Sequence, residues 1–370
     1  MEVFWFTGRS LSDLCSTTQT SLASGLIERG IDLTMINPDK QGEHQSQSWS
    51  HVSVSITARP GFRSRTLGRK MLDWCKKKKL AQDSVCLLDW RIANYLIHYL
   101  EQQNISWILI DRSPPADSGL LSFLQWPSWR KSWRSVRKKG ARGCVVSLEH
   151  QQFVQDKVGL HRDSISILPA GVDLELFHTS EKKQTLTLVY HGKVDRNRGI
   201  LALPMFLQKM ITMGIRARLI IIGNGDCFDQ INRISLGDEN IEVHPSMPQS
   251  DLSEILSKCH IGLLPMPDQK IWRMASPLKR SEYAASGLLI YGIHHNGHLF
   301  ENQEKLEWMR LVKQHDFHDE GVKWIQTLDS EHLIKLGLDA RRFAEENLSW
   351  KHTVDVLEEV VHSCSTSNAE

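Results

Sequence analysis

Short apolar runs alternate with amphipathic stretches along this chain, and the alternation runs through twice. Val3–Thr7 is apolar and stops at Gly8. An amphipathic stretch follows to Arg29, and Ile31–Ile36 is apolar again. Val52–Ile56, Val85–Leu88, Trp107–Ile110 and Cys144–Ser147 continue the series, with helical spacing between the last three. Strands separated by helices predict a parallel sheet with helices on both faces. The pattern restarts at Leu186–Tyr190 and continues through Arg218–Ile222, Ile241–Val243, Ile261–Leu264 and Leu288–Tyr291. The joint falls near Leu168–Lys183, which holds Pro169, Gly171 and a polar run. The expected fold class is therefore α/β, with two doubly wound Rossmann-like domains at residues 1–170 and 171–348. Residues 349–370 read as one amphipathic helix with a frayed polar end. Ligands of open α/β sheets bind beyond the carboxyl ends of the strands, so a cleft facing those ends is the expected site.

Composition narrows the class. Over 370 residues, 41% are hydrophobic and 24% charged, which excludes a disordered, fibrous or multi-span membrane chain. The net charge of +2 hides an asymmetry. Residues 1–170 hold 23 Lys and Arg against 15 Asp and Glu, and the remainder holds 22 against 28. Two lobes with different partners fit this split. The seven cysteines (Cys15, Cys75, Cys86, Cys144, Cys227, Cys259 and Cys364) include no CxxC pair, which fits a reducing compartment. The start, MEVFWFTG, lacks the pattern of a signal peptide, and no apolar run nears the ~18 residues of a spanning helix. The expected location is cytoplasmic, with peripheral contact to a membrane.

Three segments carry candidate chemistry. HGKVDRNRG, His191–Gly199, follows a predicted strand, and Gly192 permits a close turn. Lys193 flanks that turn, and Arg198 is expected at the start of the next helix. Two cations beside a helix N-terminus suit a diphosphate, although a basic loop is more often merely solvated. SPLKRSEYAASG, Ser276–Gly287, offers Ser276 as a helix cap, Pro277 at the first position and Lys279 in the first turn. Glu282 lies one turn further in, where it can accept from ribose hydroxyls. A capped surface helix is the plainer reading. IIIGNGD, Ile220–Asp226, ends a strand in Gly223-x-Gly225, which brings backbone close to a ligand. Neither this segment nor TGRSLSD after the first strand has the third glycine of a dinucleotide fingerprint.

Taken in order, with LPAGVDLELF (Leu168–Phe177) before them, these segments resemble the GT-B glycosyltransferases of family 4. LPAGVD is similar to that family's interdomain segment. HGKVDRNRG is similar to its phosphate motif, and SPLKRSEYAASGLLIYG to the segment over the nucleotide sugar. SWKHTVDVLEEVV, Ser349–Val361, resembles the C-terminal helix that crosses back to the first domain. The resemblance implies a retaining hexosyltransferase whose donor is a nucleotide-diphosphate sugar, with a glycan or lipid-linked acceptor and no other cofactor. It implies a donor-binding set of Gly8, Gly192, Lys193, Arg198, Gly223, Ser276, Pro277, Lys279 and Glu282. Lys193 and Arg198 would also act catalytically on the leaving diphosphate. The family's E-x7-E pattern has Met274 in place of its first glutamate here, which leaves the donor sugar open.

Some features admit two readings. In DRSPP at a predicted strand end, Asp111 or Arg112 meets the transferred sugar or acceptor in one, with Asp111 the catalytic candidate, and the segment is a helix cap in the other. His294, His295 and His298 read as a polar loop rather than a metal site. No Asp-x-Asp occurs, and a cation-plus-helix site works without a metal, so none is expected. In Trp126–Arg142, Trp126, Trp129, Trp133 and Val136 share a helical face, and Arg130, Lys131, Arg134, Arg137, Lys138 and Lys139 fill other positions. That stretch is either a core stripe with a solvated basic back or an anionic membrane interface. No nucleic-acid recognition module accompanies it. A non-catalytic nucleotide-sugar or membrane-binding protein on the same scaffold is the alternative function. A nucleotide-sugar epimerase is a more distant one.

Overall fold

The computed structural model describes residues 1–11, 16–59, 61–115, 120–300 and 305–366. Cys15 and the last four residues of the polar tail lie outside them. The chain divides into two compact units, Met1–Pro169 with Trp350–Glu370, and Ala170–Ser349.

In the first unit the elements are β1 (Glu2–Phe6), α1 (Thr17–Glu28), β2 (Asp32–Asn37), β3 (Ser50–Ser53), α2 (Arg63–Lys78) and β4 (Val85–Asp89). They continue as α3 (Trp90–Gln102), β5 (Ser106–Ile110), α4 (Leu120–Lys139), β6 (Arg142–Val145), α5 (Leu148–Val158) and β7 (Ile165–Ile167). The strands form one parallel sheet in the order β3-β2-β1-β4-β5-β6-β7. Side chains alternate across a strand, so the sheet has two packing faces. Val3, Trp5, Val85, Leu87, Ile108 and Ile110 form a core with α1 and with the C-terminal helix. Phe4 and Phe6 turn the other way, edge-on to Trp74 of α2 at 5.8 and 6.0 Å. Helices α2, α3 and α4 pack side by side on that second face. Helix starts are capped where the sequence supplies an acceptor. The Asp89 carboxylate takes the Arg91 N–H at 3.0 Å, and the Ser147 hydroxyl takes that of His150 at 3.2 Å.

The second unit runs β8 (Leu186–His191), α6 (Ala202–Thr212), β9 (Ala217–Ile222), α7 (Phe228–Ser235), β10 (Ile241–His244) and α8 (Gln249–Ser257). It continues as β11 (Ile261–Leu264), α9 (Lys270–Arg273), α10 (Leu278–Ala285), β12 (Leu289–Ile293), β13 (Met309–Val312), α11 (Phe317–Gln326) and α12 (Ser330–Asn347). Its strands are parallel in the order β10-β9-β8-β11-β12-β13. The central ones are buried on both faces, which is why they read as unbroken apolar runs. Strand order reverses between β8 and β11. Loops leaving the two strands there must diverge to opposite faces, and that divergence opens a crevice.

The chain ends in α13 (Trp350–Thr366), which belongs to the first unit and packs on α1. Arg29, just past α1, pairs with Asp355 and Glu358 of α13. The Ser106 hydroxyl donates to the Cys364 carbonyl at 2.7 Å.

Candidate functional site

The site is built at the reversal in the second sheet. β8 ends at His191 and turns at Gly192 (φ +116°), a conformation that side chains strain. The Gly192 carbonyl then lies against Gly223, which ends the neighbouring β9. A Cβ on Gly223 would stand 1.7 Å from that oxygen, so only glycine lets the two loops touch.

Tyr190 organises the charges around this turn. Its hydroxyl donates to the Lys193 carbonyl at 2.7 Å, which holds the loop back on the strand. Burial pushes the phenol well above its ordinary range, so it stays a donor. Lys279, in the first turn of α10, lies with its Nζ 4.0 Å from the Tyr190 ring centroid. The same ammonium would be 3.1 Å from a Cβ on Gly192. A buried cation is costly unless a π face or anion offsets it, and Tyr190 supplies the π face.

Arg198 is held between the two diverging loops. Its Nη1 is 3.7 Å from Met266 Sδ, beyond β11, and its guanidinium stands 4.7 Å over the Trp272 ring. The Asp195 carboxylate lies 3.8 Å from its Nε. Arg198 closes a short 3-10 turn, Arg196–Arg198, and α6 starts only at Ala202. The expectation that Arg198 begins the next helix is thus corrected. Glycine at 199 (φ +74°) breaks the turn before a helix can propagate.

Glu282 sits in α10, where every residue from Lys279 to Ala285 is buried. Its Oε2 faces His191 Nε2 at 3.0 Å. The His191 N–H donates to the Tyr283 hydroxyl at 3.2 Å, and the imidazole stands edge-on to the Tyr283 ring. Ser276 does not cap α10. The residue before the helix is Pro277, which has no side-chain acceptor, and the Ser276 hydroxyl is used elsewhere. It accepts from the Ala170 N–H at 2.9 Å and from Arg280 Nη2 at 3.1 Å. Arg280 also donates to the Gly297 and Leu299 carbonyls, so it ties the loop after β12 to the start of α10.

The structure thus brings Gly192, Gly223, Lys279, Arg198 and Glu282 to the carboxyl end of the second sheet, with Ser276 and Pro277 at the base of the helix that carries two of them. Lys193 lies on the same turn with its side chain in solvent. Met274 is buried. Gly8 follows β1 in the first unit, where a Cβ would meet Leu67 and Ile92 only at ordinary contact distance. Asp111, also in that unit, is fully buried. Its Oδ2 accepts from the Trp129 indole at 2.6 Å and the Trp133 indole at 2.9 Å, with His150 Nε2 at 3.3 Å. Its Oδ1 accepts from the Ser113 N–H at 3.1 Å. Burial raises the Asp111 carboxyl, and His150 with the two indoles outweighs it, so the group ends below the usual range. A fully buried carboxylate held on both oxygens is not presented to a sugar or an acceptor. The reading of Asp111 as a substrate contact is corrected to that of an internal anchor.

The histidine loop is not a solvated polar loop throughout. His295 and His298 are buried and lie ring to ring, centroids 3.7 Å apart. Burial lowers His295 to about 4 and His298 well below its ordinary value. Among the described residues, one group has the spacing of metal ligands: Asp39, Glu43 and His44 in the first unit. There Asp39 Oδ2 accepts from the Leu11 N–H at 2.7 Å and from Asn37 at 2.6 Å, which fixes the loop after β2.

No family model matches the chain, and no curated protein sequence matches it. Solved structures do. A glycosyltransferase from Rickettsia africae ESF-5 is 12% identical, with 98% of each chain covered and a TM-score of 0.77. Sucrose-phosphate synthase from Thermosynechococcus elongatus is 13% identical, with 99% of each chain covered and the same TM-score of 0.77. The chain has the GT-B glycosyltransferase fold. HepE from Anabaena, solved in complex with UDP, is 10% identical at a TM-score of 0.72, covering 98% of this chain and 100% of that one. At such identities it is the GT-B backbone that is shared. The site must be read from this chain's own residues.

Three of those residues were not singled out from sequence. Tyr190 and His191 are the last two residues of an apolar strand, and Trp272 lies in α9, a single turn too short for a periodic signal. His191 heads the HGKVDRNRG segment, and that position was the one available signal for it.

Proposed function

We propose that this chain is a retaining glycosyltransferase of the family 4 type, moving a hexose from a nucleoside-diphosphate sugar to an acceptor hydroxyl without a catalytic metal. The observation that carries the reading is the convergence of Lys279, Arg198 and the Gly192 turn on one crevice of a GT-B fold, with the Glu282 carboxylate beside them. The two cations offset charge as the diphosphate leaves, in a site where fixed charges need no reorganisation. Glu282 accepts from the ribose. The acceptor oxygen bonds to the anomeric carbon on the face from which the diphosphate departs, and its proton passes to the departing phosphate oxygen. HepE has been solved with UDP and glucose, and a TarM variant with UDP and α-GlcNAc-glycerol, which makes UDP-sugars the first donors to try. Release of free nucleoside diphosphate from UDP-, ADP- and GDP-sugars, with and without EDTA, tests the reading. Binding without turnover, across glycan and lipid-linked acceptors, would leave a binding protein instead. Loss of turnover in EDTA, restored by a divalent ion, would overturn the metal-free part.

The proposed location is the cytoplasmic face of an anionic membrane. Trp129, Trp133 and Val136 are buried in the first unit, so the tryptophan stripe belongs to the core. The charge supports the membrane reading instead. Helix α2 carries seven Lys and Arg and α4 six, against one acid, Asp73, in a layer shared with α3. Phe123 and Leu124 at the start of α4 are 71% and 70% exposed, and Phe62 before α2 is 57% exposed. Apolar side chains beside a cationic face suit an anionic bilayer surface. No helix among the described residues is long and apolar enough to cross a membrane. Binding to anionic vesicles should fall as salt rises, and equal binding to neutral vesicles would defeat the assignment.

A further inference from the structure

We infer that His191 is a positioning residue that makes the site selective for ribonucleotides, by holding the Glu282 carboxylate in the rotamer that meets the ribose hydroxyls. The inference rests on the nucleotide-sugar reading and deepens it.

Glutamate has three side-chain torsions, so a carboxylate on α10 needs a second contact to be held in one direction. His191 supplies that contact from β8, a different element. The imidazole is itself fixed. It stands edge-on to Tyr283, 5.2 Å between centroids at 89°, and its main-chain N–H is bound by the Tyr283 hydroxyl. Its Nε2 stands 3.0 Å from Glu282 Oε2, a direct contact outside hydrogen-bond alignment, so the ring limits the carboxylate by packing and by its polarity. Oε1 is left as the acceptor for a ligand hydroxyl. Both side chains keep a small exposed fraction, 10% for His191 and 5% for Glu282, so the pair is recessed but not sealed.

A buried carboxylate–imidazole pair is a weak way to stabilise a fold, since well-packed apolar residues of like volume often do as well. This pair stands next to the Gly192 turn and one helical turn from Lys279, which gives it a ligand to serve. A buried acceptor prepared for a hydroxyl also penalises any ligand that lacks it. The pair should therefore discriminate ribose from deoxyribose, and removing the imidazole should remove the discrimination.

The test uses the full chain with UDP, ADP and GDP and their 2′-deoxy and 3′-deoxy forms, measured by calorimetry. Wild type should bind one ribonucleotide roughly 10- to 150-fold more tightly than a deoxy form, the range of a charge-assisted hydrogen bond. His191→Leu should bring that ratio to within about threefold, mostly by weakening the ribonucleotide. His191→Gln, whose amide reaches the same carboxylate, should restore most of it. If His191→Leu shows no cooperative melting, His191→Asn, too short to reach Glu282, takes its place. His191→Leu (or His191→Asn in its place) that keeps the wild-type ratio, or weakens ribo and deoxy forms alike, overturns the inference and leaves the nucleotide-sugar reading standing. Wild type that binds none of these nucleotides overturns both.

Discussion

The two units each bury a carboxylate facing a histidine, and the two pairs end in different roles. In the first unit, Asp111 is enclosed by two indole donors, an amide N–H and His150, so both of its oxygens are occupied. In the second, Glu282 has His191 as its one ion-pair partner among the described residues, beside a glycine turn and two cations. Burial of a charge costs desolvation in either place. What differs is whether the protein alone compensates it. A carboxylate saturated from within is an anchor. One with an acceptor to spare has its geometry set for something the protein does not contain.

The largest test of this contrast is Asp111→Ala. It strands two indole N–H groups and His150 in a closed core, and breaking a buried pair of this kind costs about 3–5 kcal/mol. Calorimetry should show a melting temperature lower by roughly 6–20 °C. A loss under about 2 °C would show that Asp111 is not an anchor. Lys279→Ala and Arg198→Ala should instead leave melting nearly unchanged and lower turnover roughly 10- to 150-fold, the loss of one charge-assisted contact. A large stability loss with intact turnover would place these cations with Asp111 rather than with Glu282.

Acidification separates the units by a different route. His260 and His295 are lowered to about 4 by burial, and burial also holds His298 well below its ordinary value. Below about pH 6.5 the unfolded chain gains protons at these positions that the folded one refuses. Stability of the second unit should therefore fall as pH drops from about 6.5 toward 4, by up to about 1.4 kcal/mol per pH unit per histidine. Asp111 is lowered instead, so its contribution persists above the ordinary aspartate range and is lost only as pH falls through its folded value. Hydrogen exchange across pH 7 to 4 should show second-unit amides opening first. First-unit amides opening first would reverse the assignment. The smallest effect is Lys193→Ala. With its side chain in solvent it should lower turnover only severalfold, less than Lys279→Ala, and the opposite ranking would move the phosphate site along the turn.

Much of the architecture was legible in the chain because central parallel strands must be apolar on both faces. Two edge strands were not. β7 is three residues and β13 four, too short for a periodic signal. The alternating stretch at Val52–Ile56 was placed late, since β3 spans Ser50–Ser53. Its partner β2 ends at Asn37, opposite Ser53, so the later residues have no strand to pair with. The spacing of Trp129, Trp133 and Val136 gave one helical face. Whether that face met core or membrane depended on the sheet beneath it.

The α/β class, the glycine turn at 192 and the cationic segments each follow from local rules of pattern and backbone freedom. Tertiary structure decided which of those charges meet. Asp111 is enclosed by residues 18, 22 and 39 positions further on, on α4 and α5. Glu282 meets His191 only because parallel order sets β8 beside β11 and lays α10 over their ends. Solvation and pairing of a charge depend on neighbours in space, and those neighbours are fixed by the order of strands in the sheet.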